Sequence, residues 1–186
     1  RIPTACTLSD FGRAVYTHQI EYFGIAEVNK GTIENCNVTM RIDRKDQWSL
    51  YIGGITIYNC GTIRDCIADL KVDVTATTGD LPGVWTGGIA KSSRENTLID
   101  HCLVLGHFNA SGSKAHNISL SGIADLSTDT ARCVDSAFAM DKAEVLCQDQ
   151  YYFSPAFQTW TGSVAGAENC RVANDIPYQN IVTYNN

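Results

Sequence analysis

Eight cysteines, four histidines and three well-placed aspartates are the side chains of this 186-residue chain with the most chemistry to offer. Cys60 and Cys66 stand six positions apart, which raises a metal or redox reading. The motifs that would support it are missing: there is no CxxC, HExxH, GxSxG or P-loop. His101, His107 and His116 fall near Cys102, at spacings of six and nine residues that match no standard ligand set. Asp65, Asp100 and Asp135 are the acids a hydrolase would need on one face. Asp65 and Asp100 precede a cysteine by one and two residues, whereas Asp135 follows one by two. They are therefore expected not to share a register. No catalytic residue, metal site or cofactor is expected from these patterns.

An internal repeat accounts for the cysteines better. Gly53-Gly54-Ile55-Thr56 has counterparts in Phe23-Gly24-Ile25-Ala26, Gly87-Gly88-Ile89-Ala90, Ser121-Gly122-Ile123-Ala124 and Gly162-Ser163-Val164-Ala165. Ile25, Ile55, Ile89, Ile123 and Val164 are then 30, 34, 34 and 41 residues apart. A second landmark follows each copy: GTIENC ending at Cys36, GTIRDC at Cys66, TLIDHC at Cys102, TARC at Cys133 and ENC at Cys170. Periods of this length mark stacked repeat architectures.

After each cysteine the pattern alternates. In Ala68-Asp69-Leu70-Lys71-Val72-Asp73-Val74 every second residue is apolar, and Val38, Met40 and Ile42 repeat the rule one copy earlier. Period two is a strand with one buried face. The best helical candidate is 137–147, AFAMDKAEVLC. About three short strands per repeat are expected, and a unit that small cannot bury its own apolar face. The expected fold is all-β: a parallel β-solenoid of four to five irregular coils starting near 22, 52, 86, 120 and 161. General crossover chirality makes it right-handed. Residues 1–21 read as an N-terminal cap or lead-in, 22–172 as the solenoid, and 173–186 as the end of the stack, continuing into a longer parent protein.

The stretch GGITIYNCGTIRDCIADLKV resembles the GLUG motif, a bacterial repeat with a pattern like GGI-x-G-x-N-x-G-x-I-x-N-C. The resemblance is good in the first two copies, where Asn29 and Gly31, then Asn59 and Gly61, fall in place. Later copies are recognisable mainly by their ends. Proteins with this motif are large, secreted or surface-attached, and include adhesins and non-catalytic regions of IgA-cleaving metallopeptidases. The resemblance implies a cell-surface, solenoid-like interaction region of a bacterial protein, flanked by other domains of the same chain. It transfers no catalytic residue.

In such a stack Cys36, Cys66, Cys102, Cys133 and Cys170 are expected to form a ladder of small buried thiols rather than a disulfide framework. Cys6, Cys60 and Cys147 lie outside it, and a bridge between two of them is open. Tyr51, Trp85 and Trp160 each lie three residues before the second small residue of their corner, as a packing ladder or a surface strip for sugars or a protein. The segment 148–160 reads as the longest insertion, carrying Tyr151, Tyr152, Phe153 and Phe157 on a loop. With Trp160 and Trp85 these form the expected binding residues, facing a host glycan or glycoprotein. A net charge of −6 with no basic run excludes nucleic acid as a partner class, and no apolar window is long enough to insert in a membrane. An inert stalk and a carbohydrate-active β-helix enzyme are the alternatives.

Overall fold

The computed structural model describes residues 6–8, 12–16, 19–46, 49–76, 83–112, 118–128, 130–147, 151–154, 157–158, 166–172 and 178–179. The described chain is all-β and contains no helix; its parallel sheets stack as a β-solenoid. Each level of the stack contributes strands to four sheets in turn. Level one supplies Gln19–Phe23 to sheet B, Ala26–Asn29 to sheet C, Thr32–Glu34 to sheet D and Cys36–Asp46 to sheet A. Levels two and three repeat that order with 49–76 and 84–112. Level four follows with strands between 118 and 147, and level five with Tyr151–Ser154, Phe157–Gln158, Ala167–Glu168, Arg171–Val172 and Tyr178–Gln179. Four strands per level, rather than three, reflect the tight corner between the short strands of sheets C and D, which the sequence pattern merges.

Side chains that share a column share a chemistry. Val38, Ala68 and Val104 stack inward in register, then Ile42, Val72 and Phe108, all buried. Ile33, Ile63 and Ile99 do the same from sheet D. The alternating residues Thr39 and Arg41 face out. Each fully buried branched side chain is worth about 1.5–3 kcal/mol relative to exposure, so the core is a set of aliphatic columns running along the stack.

Two polar devices hold the corners. Asn29 and Asn59 are register partners, and the Asn29 Nδ2 donates to Asn59 Oδ1 at 2.9 Å. Each Asn Oδ1 also accepts from the glycine amide two residues on, Gly31 at 3.0 Å and Gly61 at 3.2 Å. That is the physical content of the Asn-x-Gly in the repeat: an Asx turn whose side chain bonds both its own turn and the next level. At the other corner, one residue per level adopts a left-handed backbone: Asn35, Asp65, His101, Asp135 and Asn169, with φ from 47° to 55°. Asn and Asp tolerate this region best among residues with a side chain.

The register corrects three expectations. Residues 137–147 are not helical: Ala137–Phe138 and Lys142–Cys147 both pair in parallel with Leu103–Gly112. Partners Phe138↔Val104 and Lys142↔His107 leave one extra residue between them, opposite Gly106. This bulge spoils the alternation and made the segment look helical. The fifth corner falls after Ser154 and before Phe157, since Ser154 pairs Ser121 and Phe157 pairs Ala124; the expected corner at 162–165 lies outside the described residues. The fifth level therefore reaches its corner 33 residues after that of level four, rather than 41, and this spacing is ordinary.

The third correction concerns the cysteines. Cys133 pairs Ile99, not Cys102, so it belongs to the isoleucine column. The cysteine column runs Cys6, Cys36, Cys66, Cys102, then Ser136, then Cys170, as the pairs Cys6↔Cys36, Asn37↔Ile67, Ile67↔Leu103, Leu103↔Ala137 and Ala137↔Arg171 require. At the edge of sheet B, Gly12–Tyr16 runs antiparallel to Gln19–Phe23, so the expected cap region contributes a hairpin strand.

The second glycine of each corner pair is fixed by approach, not by φ. A Cβ on Gly24, Gly54 or Gly88 would lie 2.2, 1.9 or 2.0 Å from the carbonyl oxygen of the glycine one level on. Gly88→Ala should cost about 1–3 kcal/mol or more, because a backbone carbonyl cannot swing aside as a side chain can. Gly31→Ala, whose methyl would meet nothing within 4 Å, should melt with the parent. Paired thermal melts by circular dichroism check both.

Candidate functional site

The outer faces of sheets B and C meet in a shallow cleft. Outward from sheet B, Glu21, Tyr51, Trp85 and Ser119 form one register column. From sheet C, the residues following Ala26, Thr56, Ala90 and Ala124 line up as Glu27, Ile57, Lys91 and Asp125. Ile57 is fully buried yet is not part of the interior cluster, which makes it the floor of this outer cleft. Tyr51 and Trp85 meet edge-to-face with centroids 4.9 Å apart. The Lys91 ammonium sits 5.0 Å from the Tyr51 ring centre, and the Arg94 guanidinium 5.2 Å from that of Tyr58. Both are cation–π distances. Tyr16 donates its hydroxyl to Glu27 Oε1 at 2.7 Å from the antiparallel edge strand.

Burial sets the electrostatics here. Glu21 is 2% exposed; Gln19 Nε2 donates to its Oε1 at 2.6 Å, and its Oε2 has no hydrogen-bond partner. Burial holds its carboxyl above the usual glutamate range. Burial likewise pushes Lys91 down and Tyr51 and Tyr58 up, the two tyrosines further by the Glu21 charge. The hydrogen bond to Glu27 raises the Tyr16 hydroxyl to about 12. Between Trp85, Lys91, Ser119 and Asp125 lies a dip of only about 10 Å³, roughly the room one water needs. The cleft thus offers a face of aromatic rings edged by charges, suited to a flat ligand laid across it rather than enclosed.

The left-handed corner carries a second polar group of residues. His101 Nδ1 lies 2.6 Å from Asp100 Oδ1, and His101 Nε2 lies 3.9 Å from Asp135 Oδ2. One donor atom from each of Asp100, His101 and Asp135 lies within 4.8 Å of the others, so these three could hold a divalent cation. All are at the surface and already engaged, Asp135 also by Asn169. Asp65 and Asp135 do share a register, with His101 between them; the expectation that the aspartates are out of step rested on Cys133, whereas Ser136 marks the fourth level. His107 instead pairs with Asp73 at 2.9 Å, whose carboxyl that bond holds below the usual range. His116 lies outside the described residues.

The structure places Trp85 in the cleft. Tyr151, Tyr152 and Phe153 form not an inserted loop but a strand paired to Ile118–Ser121, and Phe157 pairs Ala124. Tyr152 takes the position of Ser119 in the column that holds Trp85 and Tyr51. The side chains of these four residues, all of Trp160, and the side chains of Cys6 and Cys147 lie outside the described set. Cys60 is an exposed thiol. Sequence reasoning missed Glu21, Glu27, Tyr58, Lys91, Arg94 and Asp125. The signal was available: an outward residue once per level, read down the column rather than along the chain.

No family model, characterised protein or solved structure matches the chain. The GLUG-like pattern of the first two copies therefore stands on those residues alone.

A buried carboxyl held above its ordinary value loses stability on ionising. The contribution of Glu21 is fully present below the unfolded glutamate pKa of about 4.3 and is lost as pH rises through the folded value. Glu21→Gln keeps the acceptor for Gln19 and removes the charge. It should raise Tm at pH 7 by about 2–4 °C, the shift that 1 kcal/mol gives at this chain length. The gain should vanish below pH 4, which a series of melts at stepped pH would show.

Proposed function

We propose that this chain is a non-catalytic binding module of a larger secreted or cell-surface bacterial protein. Its ligand is a host glycan or glycoprotein, laid across the cleft between sheets B and C. The observation that carries the reading is the Tyr51–Trp85 pair, partly exposed and flanked by Lys91. An aromatic face stacks on the apolar face of a sugar ring, while Lys91, Arg94, Glu27 and Asp125 supply hydrogen bonds to its hydroxyls and to any acidic substituent. A shallow open face accepts a chain of sugars running along the stack. The surface location rests on the resemblance of the repeats.

A glycan array with mucin and immunoglobulin, read with the parent, Trp85→Ala and Tyr51→Ala, tests this. Saturable binding should fall at least about tenfold in each variant, or about 1.4 kcal/mol, with the circular dichroism spectrum unchanged. Binding that survives both substitutions would remove the cleft from the account. Silence of the parent across the panel would favour an inert stalk.

A glycan-cleaving reading has one observation in its favour: Glu21 is buried with its carboxyl held high, as a proton donor requires. Its partner could not be Asp125, which lies three levels away, roughly 14 Å at about 4.8 Å per level. Carboxylate pairs in glycosidases stand about 5–9.5 Å apart. Glu27, on the same level as Glu21, is the remaining candidate. Release of reducing ends from a bound glycan, lost in Glu21→Gln while binding persists, would establish this reading over the first.

A further inference from the structure

Three cysteines of the column, Cys66, Cys102 and Cys170, bring the thiol within reach of the carbonyl of the sheet D residue one level back. Cys66 Sγ lies 3.9 Å from Ile33 O, Cys102 Sγ 3.8 Å from Ile63 O, and Cys170 Sγ 3.4 Å from Cys133 O. In the first two cases the residue beneath is an isoleucine. In the third it is a cysteine, and two sulfurs meet at 3.7 Å. The meeting follows from the register: Cys133 occupies the isoleucine column and Cys170 the column of Ser136, one level on.

We propose that Cys133 and Cys170 are an oxidisable dithiol whose disulfide staples the fourth level of the solenoid to the fifth. Neighbours within the cysteine column are less suited to this. Cys66 also bonds Cys102 through sulfur, but stacked at about 4.8 Å their Cβ atoms stand wider apart than the roughly 3.5–4.5 Å of a disulfide, and the ten-residue strands that follow them hold them there. The Cys133–Cys170 pair is diagonal across the corner and its sulfurs already touch. Level five can also yield, since Ala167–Glu168 and Arg171–Val172 are two-residue strands, against ten in Ile67–Ala76. A cross-link spanning 37 positions removes much of the freedom of the unfolded chain. It would act where backbone pairing is thinnest.

The chemistry balances with hydrogen peroxide as the oxidant. Cys170 is half-buried, and its contact with the Cys133 sulfur lowers its thiol below the ordinary range, which favours the thiolate that reacts. Its sulfur attacks one peroxide oxygen, the O–O bond breaks, hydroxide leaves, and a sulfenic acid forms on Cys170. The buried Cys133 thiol then attacks that sulfur, forms the S–S bond and releases its proton and the hydroxyl as water. Two thiols lose two electrons, and one peroxide becomes two waters.

The full chain is reduced, treated with one equivalent of hydrogen peroxide, alkylated and digested without reductant. The expected result is one dominant cross-linked peptide joining Cys133 to Cys170, with Cys36, Cys66 and Cys102 recovered as thiols. Tm should rise by about 5 °C or more and return to its starting value on reduction. Cys170→Ser, at a half-exposed position, should abolish both the cross-link and the rise. Alkylation of Cys133 and Cys170 with no bridge between them, a dominant bridge elsewhere, or a rise that persists in Cys170→Ser would each overturn the proposal. The peptide map of the parent decides the pairing even if the variant folds poorly.

Discussion

Stacking distance governs this molecule. When each level repeats about 4.8 Å above the last, whatever occupies a position finds its equivalent directly above and below. At the corner between sheets B and C the backbone itself is that neighbour. Gly24, Gly54 and Gly88 each stand where a methyl would penetrate the carbonyl of the glycine on the next level. The amides next to them complete the corner by bonding between levels, as Ile25 N does to Ile55 O at 2.9 Å and Ile55 N to Ile89 O at 2.8 Å. A side chain here would lift one level off its neighbour, and every column would lose its spacing with it. The aliphatic core, the asparagine pair and the cysteine column all presuppose that contact.

The same constraint explains where polar chemistry can sit. An inward column is occupied mostly by aliphatic or small side chains, with polar exceptions such as Thr56, Thr86 and Ser93. An outward column is free to vary, and in the cleft it does: glutamate, tyrosine, tryptophan and serine follow one another at one position. Unlike side chains stacked at this spacing complement one another, as in the Lys91–Tyr51 contact and the ion pair of Arg64 with Glu34 on the facing corner. The arrangement also buries Glu21 with half of its carboxylate unsatisfied, which costs stability. A fold that needed only to stack would place a neutral residue there.

Much of the fold was legible because two landmarks are physical necessities. The glycine pair and the alternating strand after the cysteine gave the parallel stack and the right partners for levels one to four at the corner. The cysteine landmark misled at level four, since Cys133 is chemically the same as its supposed equivalents and only three residues from the true position, Ser136. Along one chain the two registers look alike; hydrogen bonds between levels separate them. Level five was misplaced for a related reason. Gly162-Ser163-Val164 resembles the corner in composition, but Ser154 is the residue that pairs with Ser121. In the cleft, Trp85 and Tyr51 were legible as aromatics at a repeated position. The charged residues around them were not, since Glu21, Lys91 and Asp125 carry meaning only once two sheets meet.

A better landmark was present throughout. The residue before the cysteine column is Asn35, Asp65, His101, Asp135 and Asn169, and all five take a left-handed backbone. Asparagine and aspartate are the residues that enter that region at least cost, so four of the five levels announce the corner by residue type alone. Histidine is the exception, and its surroundings supply a reason. His101 stands between Asp65 and Asp135 with Asp100 beside it, and those carboxylates raise its pKa, the hydrogen bond to Asp100 foremost. When it carries a proton, that ring separates acidic groups that would otherwise repel along the column. The constraint that selects residue types at this corner is therefore conformational at four levels and electrostatic at level three. A column that must satisfy both is more informative about register than a cysteine column, which needs only to be small and apolar and which Ser136 fills as readily.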